Sequence, residues 1–218
     1  MALITTITRR YQRPPRVGRS TLGRRRYPVP VFNLLLVRHA TSQAPSAGGA
    51  DEYRRPLTAE GLRQAYELSD VLSSFAPARF LSSPYLRAIQ TVVPAARSLG
   101  LEVELREEVR EWTSGIEPTP EWRRHYRYCW ENPLWSIAEG ESHDALKARA
   151  LGALEQAADE AGGCVTVIGS HGTWIASALL GLGCDVDADF WFAMPMPAVY
   201  SLQLDGGLPT VVEGPGLS

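Results

Sequence analysis

Two apolar runs in this chain end on a histidine: "LLLVRH" delivers Arg38 and His39, and "VTVIGSH" delivers His171. Imidazole is a nucleophile, base or metal ligand near neutral pH, and a strand end is where such a group meets a crevice. A third short run, "FLSS", stops just before a helical segment that carries Arg87 in its first turn. If the three runs are parallel strands, both histidines and both arginines fall on one edge of one sheet. Guanidinium forks and helix N-termini both bind phosphate-like anions. Each histidine precedes a small residue, Ala40 or Gly172, which would let backbone amides approach an anion. A lone strand-end histidine is most often a polar residue reaching water, and a lone Arg87 a solvated helix residue. The joint pattern is what points to a site. No further histidine or carboxylate stands at ligand spacing, and two arginines would repel a cation, so the pattern favours an anion over a metal.

The elements that must position these groups alternate along the chain. "VFNLLLV" reads as a strand buried on both faces. "LTAEGLRQAYELSDVLSSF" spaces Leu62, Ala65, Tyr66, Leu68 and Leu72 for an amphipathic helix, with Thr58 as its cap and Glu60 near the positive end of its dipole. "ARFLSS" is a short strand, and "PYLRAIQTVVPAARSLG" a helix with Ser83 as N-cap, Pro84 at its first position and Gly100 as its stop. After the strand "LEVEL" come the helix "SHDALKARALGALEQAADEAGG", the buried strand "CVTVIGS", the helix "GTWIASALLGLG" and a C-terminal hairpin turning at Asp205-Gly206-Gly207. This order predicts an α/β fold, a three-layer sandwich with a mostly parallel central sheet and helices on both faces.

Taken together, the motifs resemble those of the histidine phosphatase superfamily, which includes the cofactor-dependent phosphoglycerate mutases. The resemblance rests on "VRHATS", with Ala40 where the family has glycine, then "LTAEGLRQA", "SPYLRAIQT", "EGESHDALKAR" and "VIGSHGTWI", in family order over about 31–205. It implies a phosphoglycerate mutase-like fold. It implies that His39 is the nucleophile, carrying the phosphoryl group as phosphohistidine, and that Arg38, Arg87 and His171 bind that group. Ser42 and nearby backbone amides would be secondary phosphate contacts. A proton donor is expected from a Leu-x-Glu-x-x-x-Gly pattern, which "VREWTSG" meets with Glu111 and Gly115; Glu107 and Glu108 in "LREEV" compete for the role. The implied activity needs no cofactor and no metal, since arginines neutralise the phosphoryl charge.

The segment "PEWRRHYRYCWENPLW" interleaves basic and aromatic residues, which invites a nucleic-acid reading. Trp122, Tyr126 and Trp130, four apart, instead line one face of a helix with Arg123, Arg124 and Arg127 off it. Residues around 112–140 then form an insert covering the pocket, where Arg124 or His125 would select anionic substrates. His143 is expected to face solvent.

Net charge is −2, but eight of the 22 basic side chains lie in residues 1–31, which contain no acid; 14 then oppose 24 acidic groups in the rest. The basic segment 1–30 reads as a disordered N-terminal extension, with a transit peptide or a nucleic-acid arm as alternatives. The domain proper spans 31–218. Cys129, Cys164 and Cys184 form no CxxC pair, so neither a disulfide framework nor a zinc knuckle is indicated, and Cys164 is expected in the core. Those cysteines, and apolar runs all shorter than the roughly 18–20 residues of a membrane span, place the protein in the cytoplasm. A single lysine, Lys147, against 21 arginines suggests a GC-rich bacterial genome.

The expected activity is hydrolysis of a small phosphorylated substrate, with no nucleic-acid or membrane partner. Phosphoglycerate mutase chemistry is the near alternative. It is disfavoured because the Trp-Asn pair and the longer insert typical of mutases are missing from "SQAPSAGGADEYRRP" and "VVPAARSLG". A non-catalytic domain that binds phosphorylated ligands is the third reading, given Ala40 and the three candidate acids.

Overall fold

The computed structural model describes residues 31–45, 52–116, 119–137, 139–205 and 208–217. The basic segment 1–30 and the expected turn glycines Gly206 and Gly207 lie outside the described residues. The elements run β1 (Val31–Arg38), α1 (Ala59–Ser74), β2 (Arg79–Ser82), α2 (Leu86–Ser98), β3 (Val103–Leu105), a short 3₁₀ turn (Glu107–Val109), α3 (Trp122–Glu131), α4 (His143–Ala161), β4 (Val165–Ser170), α5 (Gly172–Gly181), α6 (Ala188–Ala193), β5 (Ala198–Asp205) and β6 (Leu208–Glu213). They build one six-stranded sheet in the order β3-β2-β4-β1-β5-β6. The first four strands in that order are mutually parallel, and β5 and β6 close one side as an antiparallel hairpin.

Successive side chains of a strand point to opposite faces, so neighbours in β1 serve different layers. Leu34 and Leu36 join Leu81 and Ile168 beneath Leu146 and Leu154 of α4 and Ile175 and Leu179 of α5. Leu35 and Val37 join Phe80 and Val167 beneath Leu68 and Leu72 of α1 and Val92 and Ala95 of α2. Burial on both faces is why β1 shows no polar alternation over Leu34–Val37.

Two helices differ from the expected pattern. Thr58 caps α1 by accepting from the Gly61 amide, as its sequence predicts, but Leu62 and Tyr66 are exposed and the inward stripe runs Gly61, Ala65, Leu68, Ser69, Leu72. The stripe is rotated because α1 presses its first turn onto the loop after β1: a Cβ at Gly61 would stand 2.0 Å from the Thr41 carbonyl oxygen. Helix α2 begins at Leu86, not Pro84, and its N-cap position is Tyr85. Ser83 sits earlier, accepting from the Tyr85 amide and meeting His171. Ser142 caps α4 through the Ala145 amide, and Gly162 ends it at φ 57°, a left-handed conformation that suits glycine.

Two buried-state expectations are corrected. Cys164 is exposed, because it lies in the turn before β4 and the buried part of the strand starts at Thr166. His143 is buried, packed against the Trp130 and Trp112 rings at 4.1 and 5.9 Å, because the insert folds over the start of α4. No described helix is long and apolar enough to cross a membrane.

Candidate active site

Strand register brings the chemistry together. In the parallel β1–β4 pair Arg38 lies opposite Ser170, and His39 N donates to Ser170 O at 3.0 Å. The next strand pairs Ser82 with Gly169, and Ser83 N donates to Gly169 O at 2.8 Å. His39, Ser83 and His171 therefore leave the sheet at one level, and the two imidazole rings stand 5.3 Å apart at 66°. Gly169 lets α2 close onto this edge, since a Cβ there would meet Val92 at 2.9 Å.

His39 is 7% exposed. Its Nδ1–H donates to the Ala40 carbonyl at 2.7 Å, which leaves the lone pair on Nε2, and that lone pair accepts from Arg87 Nε at 3.3 Å. Burial first, and then the Arg87 charge, push its pKa down to about 3, so the imidazole is neutral at physiological pH. His171 is fully buried, with Nε2 against Ser83 Oγ at 2.8 Å and Nδ1 without a protein partner. Burial, then Arg87 and His39, hold it well below its ordinary value. Tyr85 packs edge-on to His171 at 5.0 Å, and the Arg87 guanidinium lies 4.7 Å over the same tyrosine ring.

Arg87 is 2% exposed, and its Nη1 donates to the Glu52 carbonyl at 2.9 Å and pairs with the Glu52 carboxylate at 3.1 Å. Arg38 Nη1 donates to the Met194 and Pro195 carbonyls, while its buried Nε lacks a protein acceptor. The guanidinium passes so close to α5 that a Cβ at Gly172 would meet Arg38 Nε at 3.0 Å and Trp191 Nε1 at 3.0 Å. Trp191 Nε1 is likewise buried and without a partner. Burial opposes the charge on both arginines; Glu111 offsets part of this at Arg38, and Glu52 and Glu111 do so at Arg87.

Of the three candidate acids, Glu107 and Glu108 are exposed. Glu107 accepts from Tyr53 OH, and Glu108 uses its backbone carbonyl to accept from Trp174 Nε1. Glu111 is half-buried and accepts from the Trp112 and Trp174 amides at 2.9 and 3.2 Å. Trp174 is in the first turn of α5, whose N-cap is His171, so this carboxylate sits at the positive end of the helix that His171 begins. Its segment is fastened from behind. Arg149 makes two 2.8 Å bonds to the Glu141 carboxylate and donates to the Glu108 and Arg110 carbonyls, and Trp112 Nε1 donates to the Glu141 carbonyl.

The other motif residues clamp the loop that follows His39. Gln64 accepts from Thr41 N, Gln90 from Leu57 N, and Thr91 Oγ1 from Ala40 N. The Ala40 amide is thus engaged by Thr91. Ala40 has no positive φ and packs in a buried cluster with Leu57 and Ala65, so the backbone does not call for glycine there. Ser42 bridges to Leu57 and accepts from Arg55 Nη1 at 2.7 Å. Arg55 and Glu52 escaped the sequence reading, and Ser83 was expected as a helix cap, not as the partner of His171. Only the place of Arg55, just ahead of "PLT", could have drawn notice.

The insert packs through aromatic rings. Trp112 meets Tyr126 edge-on at 5.2 Å, and Tyr126 stacks on Trp191 at 5.0 Å and 11°. Arg123 lies over the Trp122 and Phe192 rings, whereas Arg124 and His125 are exposed and the Arg124 ion pair is with Glu121. Among the described residues no three His, Cys, Asp or Glu side chains group as a metal site.

The sequence profile of the histidine phosphatase superfamily (branch 1) matches residues 34–214. The chain belongs to the histidine phosphatase superfamily. No curated protein matches it significantly. Solved structures share the fold at low identity. A mutant phosphoserine phosphatase from Entamoeba histolytica, in complex with phosphoserine, superposes with TM-score 0.67 at 21% identity, covering 83% of this chain and 94% of that one. A mycobacterial glucosyl-3-phosphoglycerate phosphatase gives 0.65 at 20%, over 85% and 97%. A phosphoglycerate mutase from Bacillus anthracis gives 0.66 at 20%, over 83% and 91%. This member of the superfamily therefore has the phosphoglycerate mutase-like α/β architecture, its six-stranded sheet flanked by helices.

Proposed function

We propose that this chain is a metal-independent phosphatase that hydrolyses a small phosphate monoester through phosphohistidine on His39. The observation that carries the reading is the His39 imidazole: neutral, with Nδ1 tied to the Ala40 carbonyl, Nε2 against Arg87 and the His171 ring 5.3 Å away. Nε2 attacks phosphorus as the ester oxygen departs, and Glu111 gives that oxygen its proton. Glu111 then takes a proton from water, whose oxygen attacks the phosphohistidine, releasing inorganic phosphate and neutral His39. Arg38, Arg87 and His171 hold the phosphoryl oxygens, the charge stabilisation that dominates phosphoryl transfer. The buried Arg38 Nε and His171 Nδ1, which lack protein partners, would be satisfied by such oxygens or their hydration.

Phosphate release from 4-nitrophenyl phosphate tests the reading, with acid-quench trapping of labelled phosphoenzyme. His39→Ala is expected to abolish both signals. Phosphoglycerate mutase turnover without phosphate release, or full activity in His39→Ala, would overturn it.

A further inference from the structure

Arg55 belongs to none of the motifs, yet its side chain is only 13% exposed and every nitrogen of its guanidinium is engaged. Nε and Nη2 each donate to one Glu52 carboxylate oxygen at 2.9 Å, and Nη1 donates to Ser42 Oγ at 2.7 Å and Gln43 O at 2.6 Å. The same Glu52 carboxylate reaches Arg87 Nη1 at 3.1 Å, and Arg87 Nε touches the nucleophilic nitrogen of His39. One carboxylate thus bridges two guanidinium groups, the second in contact with the reaction centre. Both arginines are largely shielded, whereas Glu52 is 46% exposed. The Arg55–Glu52–Arg87 chain leads to His39, and the positive charge of Arg55 is among the influences that lower the proton affinity of His39, Arg87 and His171.

We propose that Arg55 is a second anion-binding group of this pocket, with Glu52 as its exchangeable counter-ion, so that the enzyme selects phosphate monoesters bearing a carboxylate or second phosphate near the scissile group. The proposal rests on the phosphatase reading above. A guanidinium presenting Nε and Nη2 to a carboxylate offers the fork that a substrate carboxylate or phosphate needs. Glu52 itself is half-exposed, so its carboxylate can move into water when an incoming anion takes its place on the Arg55 fork. Ser42 then supports Arg55 rather than touching the transferred phosphoryl group.

The test compares ethyl phosphate with phosphoglycolate, which has a carboxylate in place of the methyl group, and with ethylene glycol bisphosphate, which carries a second phosphate on that carbon. Wild type is expected to favour at least one ester with a second anionic group by ~10-fold or more in kcat/KM, about 1.4 kcal/mol, and the preferred ester identifies the second anion. Arg55→Gln should erase that preference through KM, Arg55→Lys should restore part of it, and Glu52→Gln should lower KM for the ester with the second anionic group. No preference in wild type, or an equal loss for all three esters in Arg55→Gln and Arg55→Lys, overturns the proposal. If wild type hydrolyses none of them, calorimetric binding of phosphoglycolate decides the subsite separately, and the phosphatase reading fails only if 4-nitrophenyl phosphate is not hydrolysed either. Binding weakened ~10-fold or more by Arg55→Gln upholds the subsite, and unchanged binding rejects it.

Discussion

Arg87 Nε donates to His39 Nε2 across 3.3 Å, so the arginine expected to hold the phosphoryl group also covers the lone pair that would attack it. Attack requires that hydrogen bond to open, with the guanidinium passing from imidazole to phosphoryl oxygen. Arg87→Met is expected to lower kcat/KM by ~10²–10³-fold, the scale of a lost transition-state donor. The same variant should speed modification of His39 by diethyl pyrocarbonate. Unchanged or slower modification would show that Arg87 does not guard the lone pair.

The buried imidazoles make stability fall in mild acid. His39 is held at about 3 and His143 at about 4, both chiefly by burial, and His171 well below its ordinary value. In the unfolded chain each takes up a proton near pH 6.5, whereas the folded protein keeps them neutral, so the unfolded state binds more protons below that pH. Stability from this source is complete above pH 6.5 and is lost as pH falls toward 4, by about 1.4 kcal/mol per unit for each histidine. Urea unfolding at pH 7.5 and 5 measures the loss. An NMR titration placing the His39 midpoint near 6.5 would contradict it.

Arg149 touches no reacting atom, but it fastens Glu141 and the carbonyls of Glu108 and Arg110 behind Glu111. As a positioning residue it should show itself in kcat. Arg149→Met is expected to cut kcat by ~10-fold or more with little change in KM, consistent with the cost of misplacing a catalytic group, and Arg149→Lys should recover part of it. A change confined to KM would place its effect on binding.

Ala40→Gly tests whether the one departure inside the first motif matters. Because Ala40 packs with Leu57 and Ala65 and its amide is held by Thr91, activity should stay within ~3-fold while stability drops by about 1 kcal/mol. Gly61→Ala should do far more harm, of order 1–3 kcal/mol or beyond, because its methyl would strike the Thr41 carbonyl. Chemical denaturation and phosphate-release assays on both variants decide the matter. A large gain in activity from Ala40→Gly would mean that alanine restrains the site.

Much of this protein is local information. The unbroken apolar run of β1, the Thr58 and Ser142 caps and the two strand-end histidines are legible because burial, capping and strand ends leave marks in adjacent residues. The motif glycine and glutamines were legible as pattern but not as purpose; only packing shows that Gly61, Gln64 and Gln90 brace the loop behind His39. The sequence pattern already favoured Glu111 over Glu107 and Glu108; tertiary structure added the contact of its carboxylate with the Trp174 amide at the start of α5, some 60 residues away in sequence. It also rotated the buried face of α1, turned His143 inward and placed Arg55 with Arg87 on one carboxylate. Those outcomes depend on which surfaces meet across the sheet, and periodicity within a segment records that a face is buried, not what it is buried against.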